Sequence, residues 1–263
     1  MSAKTILITG ASGGIGAALA RAYAAPGVCL VLWGRDQARL AAAAAQCRTR
    51  GAEAQTASFD LADIDGFIER LEAADAAHPI DLAIFNAGIG GSVAPGRLTQ
   101  EARAAADMAA VNFAAPVAGA NLIGEKMAQR GGGRIVLVGS IAESFPLPMA
   151  PAYAGTKAGL ALFAEALGLR LGKHGVGVTL VSPAFVDTPM SRSLREPRPF
   201  LIDADRAAAI IARRVNRGAR RVVFPWQFAV LGAVARFLPR PLVRAVLAQA
   251  AKLGDLPGPE RPL

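Results

Sequence analysis

Within the stretch "PAYAGTKAG" (151–159), Tyr153 and Lys157 are the side chains equipped for proton chemistry. Residues four apart share one face of a helix, so a phenol and an ammonium would project side by side. A free phenol titrates near 10, too high for easy proton exchange at neutral pH. A neighbouring cation favours the phenolate and lowers that value, which is how a tyrosine becomes a working general acid/base. A bare Y-x-x-x-K also fits a half-buried tyrosine beside a solvated lysine, so the company of the pair decides its meaning. That company includes Ser140, which follows the apolar run "RIVLVG". At the carboxyl edge of a strand its hydroxyl could donate to a carbonyl oxygen while Tyr153 supplies the proton.

The second constellation is "TILITGASGGIGAALARAY" (5–23), an apolar run that passes through glycines into a helical pattern. Gly10 permits a tight turn, and Gly14 and Gly16 let backbone and helix approach closely. The helix start then offers free N–H groups and partial positive charge to a pyrophosphate. The strict G-x-G-x-x-G spacing is absent, and a turn used only for packing is the competing reading. The next apolar run ends "LVLWGRD", with Gly34 where a ribose-binding acid is expected and Arg35 after it. A guanidinium pairs with a 2′-phosphate, so Arg35 with Ser12, and Arg39 beyond them, point to NADP over NAD. The rival is that Asp36 binds the ribose and Arg35 is merely exposed.

These residues need elements to hold them. Short apolar runs at 4–9, 28–33, 54–59, 80–85, 134–139, 176–181 and 221–224 read as strands, several buried on both faces. Helical patterns fill the gaps at about 14–25, 37–50, 63–76, 100–129, 152–173 and 204–217. The alternation predicts an α/β fold: a doubly wound, Rossmann-like parallel sheet of about seven strands with helices on both faces. With 263 residues and 53% apolar content, one large domain has ample material for a core. We expect a dinucleotide-binding and catalytic domain over 1–224, followed by an apolar, basic helical extension and frayed tail over 225–263. Cys29 and Cys47 lack metal spacing and suit a reduced, cytoplasmic protein. His78 and His174 are expected at the surface, and no metal is implied. No signal peptide and no run of about 18 apolar residues is visible. The net charge is +9, and ten basic residues with no acidic one lie between Arg206 and Lys252. That asymmetry fits either an anionic partner or simply solvated charge. No nucleic-acid role is expected.

With these pieces in order, the sequence resembles the short-chain dehydrogenases/reductases over about residues 4–224. The match is carried by "TGASGGIG" (9–16), "FDLAD" (59–63), "FNAG" (85–88), "VNF" (111–113), "GS" (139–140), "YAGTK" (153–157) and "SPAFVDTPM" (182–190). The resemblance implies that Tyr153 is the acid/base and that Lys157 holds the ribose hydroxyls and lowers the phenol's pKa. It implies that Ser140 orients the carbonyl and that Asn112 anchors a water in a proton relay. It places Gly10, Ser12, Gly13, Gly14, Ile15 and Gly16 along the cofactor, with Ile15 flanking the nicotinamide. Asp60 and Leu61 would meet the adenine, and Asn86, Ala87 and Gly88 would line the groove. Pro183, Val186 and Thr188 would hold the nicotinamide end. The glycine turn also satisfies T-G-x-x-G-x-x-G of a longer branch, but chain length and "YAGTK" match the simple reductases. Phe85 stands where an asparagine is usual, and Ala184 where a glycine is usual.

The implied reaction is hydride transfer between NADPH and a carbonyl or secondary alcohol; a non-catalytic cofactor-binding or scaffolding protein is the alternative. Phe145, Leu147 and Met149 favour a lipophilic or bulky ketone, and residues 184–203 read as a lid. Arg192, Arg195 and Arg198 in that lid would meet an anionic substrate or face water. The resemblance also implies a homodimer or homotetramer built on the helices at 100–129 and 152–173. Residues 225–250 are too short of apolar length to span a bilayer. They either pack on protein or lie at the inner membrane face, with Trp226 at headgroup level and Arg236, Arg240 and Arg244 near anionic lipid.

Overall fold

The computed structural model describes residues 4–192 and 198–228. Seven strands form one parallel sheet: β1 (Thr5–Thr9), β2 (Cys29–Gly34), β3 (Glu53–Ser58), β4 (Leu82–Phe85), β5 (Gly133–Val138), β6 (Val176–Pro183) and β9 (Arg221–Phe224). A separate two-stranded ribbon pairs β7 (Val186–Asp187) with β8 (Ile202–Asp203). The helices are α1 (Gly14–Tyr23), α2 (Gln37–Arg48), α3 (Ile64–Ala77), α4 (Ala102–Ala109), α5 (Ala115–Gln129), α6 (Pro151–Leu171), α7 (Pro189–Arg192) and α8 (Ala204–Asn216). The strand order is β3-β2-β1-β4-β5-β6-β9, so the winding reverses between β1 and β4. That switch point opens a crevice at the carboxyl ends of the strands.

The burial pattern explains the apolar runs. Every residue of β1 and β4 is buried, as a strand covered on both faces requires, whereas the edge strand β3 is mostly exposed and buries only Ala54. Ile6, Ile8, Leu30 and Leu32 face α1, α2 and α8 on one side. Leu7, Val31, Trp33 and Ile135 face α3, α5 and α6 on the other. Phe67 is fully buried there, edge-on to Trp33 and Phe85. Burying a ring of that size stabilises by about 2–3 kcal/mol. Asp36, Asp63 and Asp203 cap α2, α3 and α8 by accepting backbone N–H groups two or three positions inside each helix.

One expected element is corrected. The single helix over 100–129 is interrupted by a π-turn at Ala110–Ala114, between α4 and α5. The extra residue rolls Asn112 into the interior, where it is 1% exposed. Beyond the turn α5 lies hard against the sheet. A Cβ on Gly119 would come within 2.6 Å of Phe85 and 2.8 Å of Phe67. The extension beginning at 225 is described only as far as Phe228; residues 229–263, with Arg236, Arg240 and Arg244, lie outside the described residues. Among the described residues no helix is long and apolar enough to cross a membrane.

Candidate active site

The glycine turn forms the floor of the crevice. Gly10 (φ 70°) and Gly14 (φ 54°) occupy the left-handed region that favours glycine. Gly16 is fixed by contact: a Cβ there would lie 2.2 Å from the Gly10 carbonyl oxygen. Gly13 precedes α1 without any side-chain cap, so the first N–H groups of the helix stay free for an anion. A nicotinamide dinucleotide fits this cradle: its pyrophosphate needs the close backbone approach and free donors that this turn provides. Ile15 is partly buried beneath it. Across the turn, the Thr188 methyl lies 3.1 Å from where a Gly14 Cβ would stand.

The switch point is laced by side chains. Thr9 Oγ1 accepts from the backbone N–H groups of Asn86 and Ala87, both at 3.1 Å. Asn86 Nδ2 returns a bond to the Thr9 carbonyl at 3.0 Å. Thr9 is a structural member of the site that the motifs did not single out; its signal was a polar residue closing an apolar strand. Asn112 grips the next loop, with Nδ2 donating to the Ile89 carbonyl and Oδ1 accepting from the Ile89 N–H, both at 2.8 Å. The Asn112 side chain is thereby committed to the loop that carries Gly88. Asp60 is exposed and accepts from Ala62 N at 3.0 Å, while Leu61 is buried beside Ala87 and Val111.

At the end of β2 the geometry separates the two readings of "GRD". A Cβ on Gly34 would meet Ser12 Oγ at 2.9 Å, so the serine takes the room an acid's backbone attachment would need. Asp36 is turned onto its own helix, accepting from Arg39 N at 2.9 Å and Arg39 Nε at 2.6 Å. Those bonds hold its carboxyl below the usual range. Arg39 is therefore spent on Asp36, whereas exposed Arg35 has no ion pair among the described residues.

The proton-transfer candidates converge where β5 ends. Ser140 caps a short 3-10 turn (Ile141–Ser144), its Oγ accepting from Ala142 N at 3.2 Å, and lies near enough to the phenol of half-buried Tyr153 to favour its ionised form. Lys157, 4% exposed, places Nζ 5.7 Å from the Tyr153 ring centre and donates to the Val138 carbonyl at 2.9 Å. A Cβ on Gly88 would stand 3.6 Å from that Nζ. Thr156 Oγ1 donates to the Tyr153 carbonyl at 2.8 Å and steadies the first turn of α6.

The protonation balance differs from the expectation drawn from spacing. Among the protein's own groups, burial dominates and pushes the Tyr153 phenol up, with Ser140 opposing it. Burial also pulls the Lys157 ammonium down to about 8, with Glu143 pulling it back up. Spacing shows that the cation is near; it does not show that both groups have left water.

Around the crevice, Pro183 ends β6 and Val186 is buried in β7. Arg192 forms a bidentate pair with Asp187 at 2.8 and 2.9 Å, and Arg198 approaches the same carboxylate at 3.8 Å. Both guanidiniums are thus engaged within the 184–203 segment; Arg195 lies outside the described residues. Phe145, Leu147 and Met149 are half-buried, Met190 and Phe200 are more exposed, and Phe228 stacks edge-on with Phe185 and Phe200. His174 is exposed, and half-buried His78 bonds Gln55 at 2.9 Å.

Comparison with known proteins agrees with this geometry. Residues 4–199 match the family described as short chain dehydrogenase. An uncharacterized oxidoreductase of Myxococcus xanthus is 35% identical over 247 residues, spanning 93% of this chain and 96% of that protein. A short-chain dehydrogenase from Sphingobium yanoikuyae, solved in complex with NADPH, superposes with a TM-score of 0.77 at 26% identity and 98% coverage of both chains. A bulky-bulky ketone specific alcohol dehydrogenase from Comamonas testosteroni gives 0.77 at 25% identity, covering 100% of this chain and 98% of that one.

Proposed function

The chain belongs to the short-chain dehydrogenase family of oxidoreductases, and from that premise we propose that it is an NADP(H)-dependent enzyme interconverting a bulky, lipophilic ketone and its secondary alcohol. The observation that carries the proposal is the convergence of the Tyr153 phenol, the Ser140 hydroxyl and the buried Lys157 ammonium at the end of β5.

The cofactor would be held by the turn from Gly10 to Gly16, by Asn86, Ala87 and Gly88, and by Pro183, Val186 and Thr188, with Asp60 and Leu61 toward the adenine. When bound, its nicotinamide supplies or accepts the hydride. The chain's own part is the proton. Tyr153 donates it to the carbonyl oxygen in reduction and takes it back in oxidation. A phenol raised by burial is held in the acid form, which suits reduction. Ser140 orients the carbonyl oxygen through its hydroxyl. Lys157 binds the ribose hydroxyls and sets positive charge near any phenolate. Asn112 fixes the Gly88 loop through Ile89 and, on this reading, would also anchor a water of the proton relay. NADP rather than NAD is supported by Arg35, which has no ion pair among the described residues, with Ser12 against Gly34 and Asp36 paired with Arg39.

Bulk and lipophilicity in the substrate are supported by Phe145, Leu147 and Met149 and by the exposed Met190, Phe200 and Leu201. The bulky-ketone specificity in the name of the Comamonas protein points the same way. Exposed Leu162 and Leu169 on α6 support a homodimer or homotetramer. Exposed Trp226 opens the apolar, basic segment 225–250 and supports a peripheral membrane contact, which flotation with anionic liposomes tests. The catalytic reading is tested by screening ketones and alcohols with NADPH and NADH at the nicotinamide absorbance. Turnover of bulky ketones with NADPH is expected; cofactor binding without turnover of any substrate would instead favour the scaffolding alternative.

A further inference from the structure

Glu143 carries a carboxylate that the proton chemistry above does not use. Its side chain is 3% exposed, although it lies in the stretch "ESFPLPM" only three residues after Ser140. One oxygen, Oε1, accepts from Ser182 Oγ on β6 at 2.8 Å and from the Arg221 guanidinium on β9. The other, Oε2, is buried with no hydrogen-bond partner. It presses on Gly139 so closely that a Cβ there would stand 2.9 Å away, which accounts for a glycine between Val138 and Ser140. Val138 is the residue whose carbonyl receives Lys157 Nζ. Buried carboxylate oxygens are normally satisfied, so one left bare beside a catalytic strand end calls for a reason.

Lys157 is the buried cation at the same strand end, its Nζ on the carbonyl that precedes Gly139. It is buried, and among the described residues it has no ion pair within 4.0 Å. We propose that Glu143 is a positioning residue: its buried carboxylate supplies the negative charge that balances Lys157, and its bonds to Ser182 and Arg221 lock the turn presenting Ser140. The charged and titratable groups around this arrangement are Lys157 and Tyr153 from α6, Glu143 from the turn and Arg221 from β9. Burial pushes the Glu143 carboxyl up, and its bonds to Ser182 and Arg221 oppose that and favour the charged form; Arg221 is half-exposed, so its own charge is partly met by water. The Glu143 charge acts on Lys157 in the direction the geometry requires, raising it against the pull of burial.

This inference rests on the oxidoreductase reading for its catalytic meaning, but its test does not need turnover. The chain has five lysines, Lys4, Lys126, Lys157, Lys173 and Lys252, so carbon-13 labelling at lysine Cε gives a resolvable NMR titration. Lys157→Met identifies the Lys157 signal. In Glu143→Gln, whose amide can still accept from Ser182 and Arg221, the Lys157 midpoint should fall by on the order of half a pH unit or more. The other four lysines should not move. Glu143→Asp, which retains the charge, should keep the midpoint near that of the unaltered protein. Glu143→Ala is the second charge-removing variant should the glutamine form not fold. If the Lys157 midpoint stays put on removing the charge, or falls equally in Glu143→Asp, the counter-charge role is wrong. Failure of the oxidoreductase reading would show separately, as absence of turnover with the titration shift intact.

Discussion

Cofactor choice should turn on Arg35. Arg39 is tied to Asp36 by a 2.6 Å contact, so it is poorly placed to stand in for a lost neighbour, whereas Arg35 is exposed and unpaired among the described residues. A hydrogen bond to a charged group is worth about 1.5–3 kcal/mol, and exposure to water takes the lower part of that range. Arg35→Ala should therefore cost about 1–2 kcal/mol against NADPH, a rise in Kd of roughly 5- to 30-fold. NADH has no 2′-phosphate, and its Kd should change by less than about twofold. Because the contact is exposed, the NADPH penalty should shrink as salt is raised. Titration of nicotinamide fluorescence at low and high ionic strength reads all three effects. Equal weakening of both cofactors, or an unchanged Kd for NADPH, would refute the assignment of Arg35 to the phosphate.

Other predictions follow from burial. Lys157 falls from an ordinary 10.5 to about 8 in the folded protein, a burial penalty of roughly 3 kcal/mol. Because its folded value lies below its unfolded value, the penalty is full below pH 8 and disappears as pH rises toward 10.5. Lys157→Met should lose turnover yet be more stable to urea at pH 7, with its advantage closing over that window; a less stable variant at pH 7 would contradict this. Asp75 is 4% exposed, accepts from Ile80 N at 2.9 Å and pairs with Arg130 at 2.7 Å. Asp75→Ala leaves a partly buried guanidinium and a buried N–H unpaired and should lower unfolding free energy by about 2–4 kcal/mol. Its distance from the site in the fold should leave NADPH affinity intact; a loss below about 0.5 kcal/mol in urea unfolding would mean the pair contributes little.

What could be read from the residues was set by local physics. β1, β4 and β5 announce themselves because strands buried on both faces must be apolar at successive positions. The turn from Gly10 to Gly16 is visible because positive φ at Gly10 and Gly14 favours glycine and the 2.2 Å approach at Gly16 admits no side chain. Tyr153 and Lys157 are visible through helical spacing read together with Ser140 and the motifs around them. The π-turn at Ala110–Ala114 had one signal, Pro116, which lacks the N–H that would bond back to residue 112; the inward turn of Asn112 was hidden because it depends on Ile89. Glu143 gives no signal in the sequence, because Ser182 and Arg221, which enclose it, lie 39 and 78 residues away. The engagement of Arg192 and Arg198 by Asp187 likewise depends on how the 184–203 segment folds back. Spacing placed the ammonium beside the phenol but could not report that burial, acting on both, pushes the phenol up.

The central claim is that the Tyr153 hydroxyl moves the proton that accompanies hydride transfer. Replacing it in Tyr153→Phe removes one oxygen and leaves Lys157, its bond to Val138 and the glycine turn in place. The deciding measurement is NADPH oxidation by a bulky ketone in this variant, with NADPH binding measured on the same sample. Binding should be retained within a few-fold while turnover falls by about 10²- to 10⁴-fold, the contribution of a positioned acid. Turnover equal to that of the unaltered protein, with NADPH bound, would contradict the account.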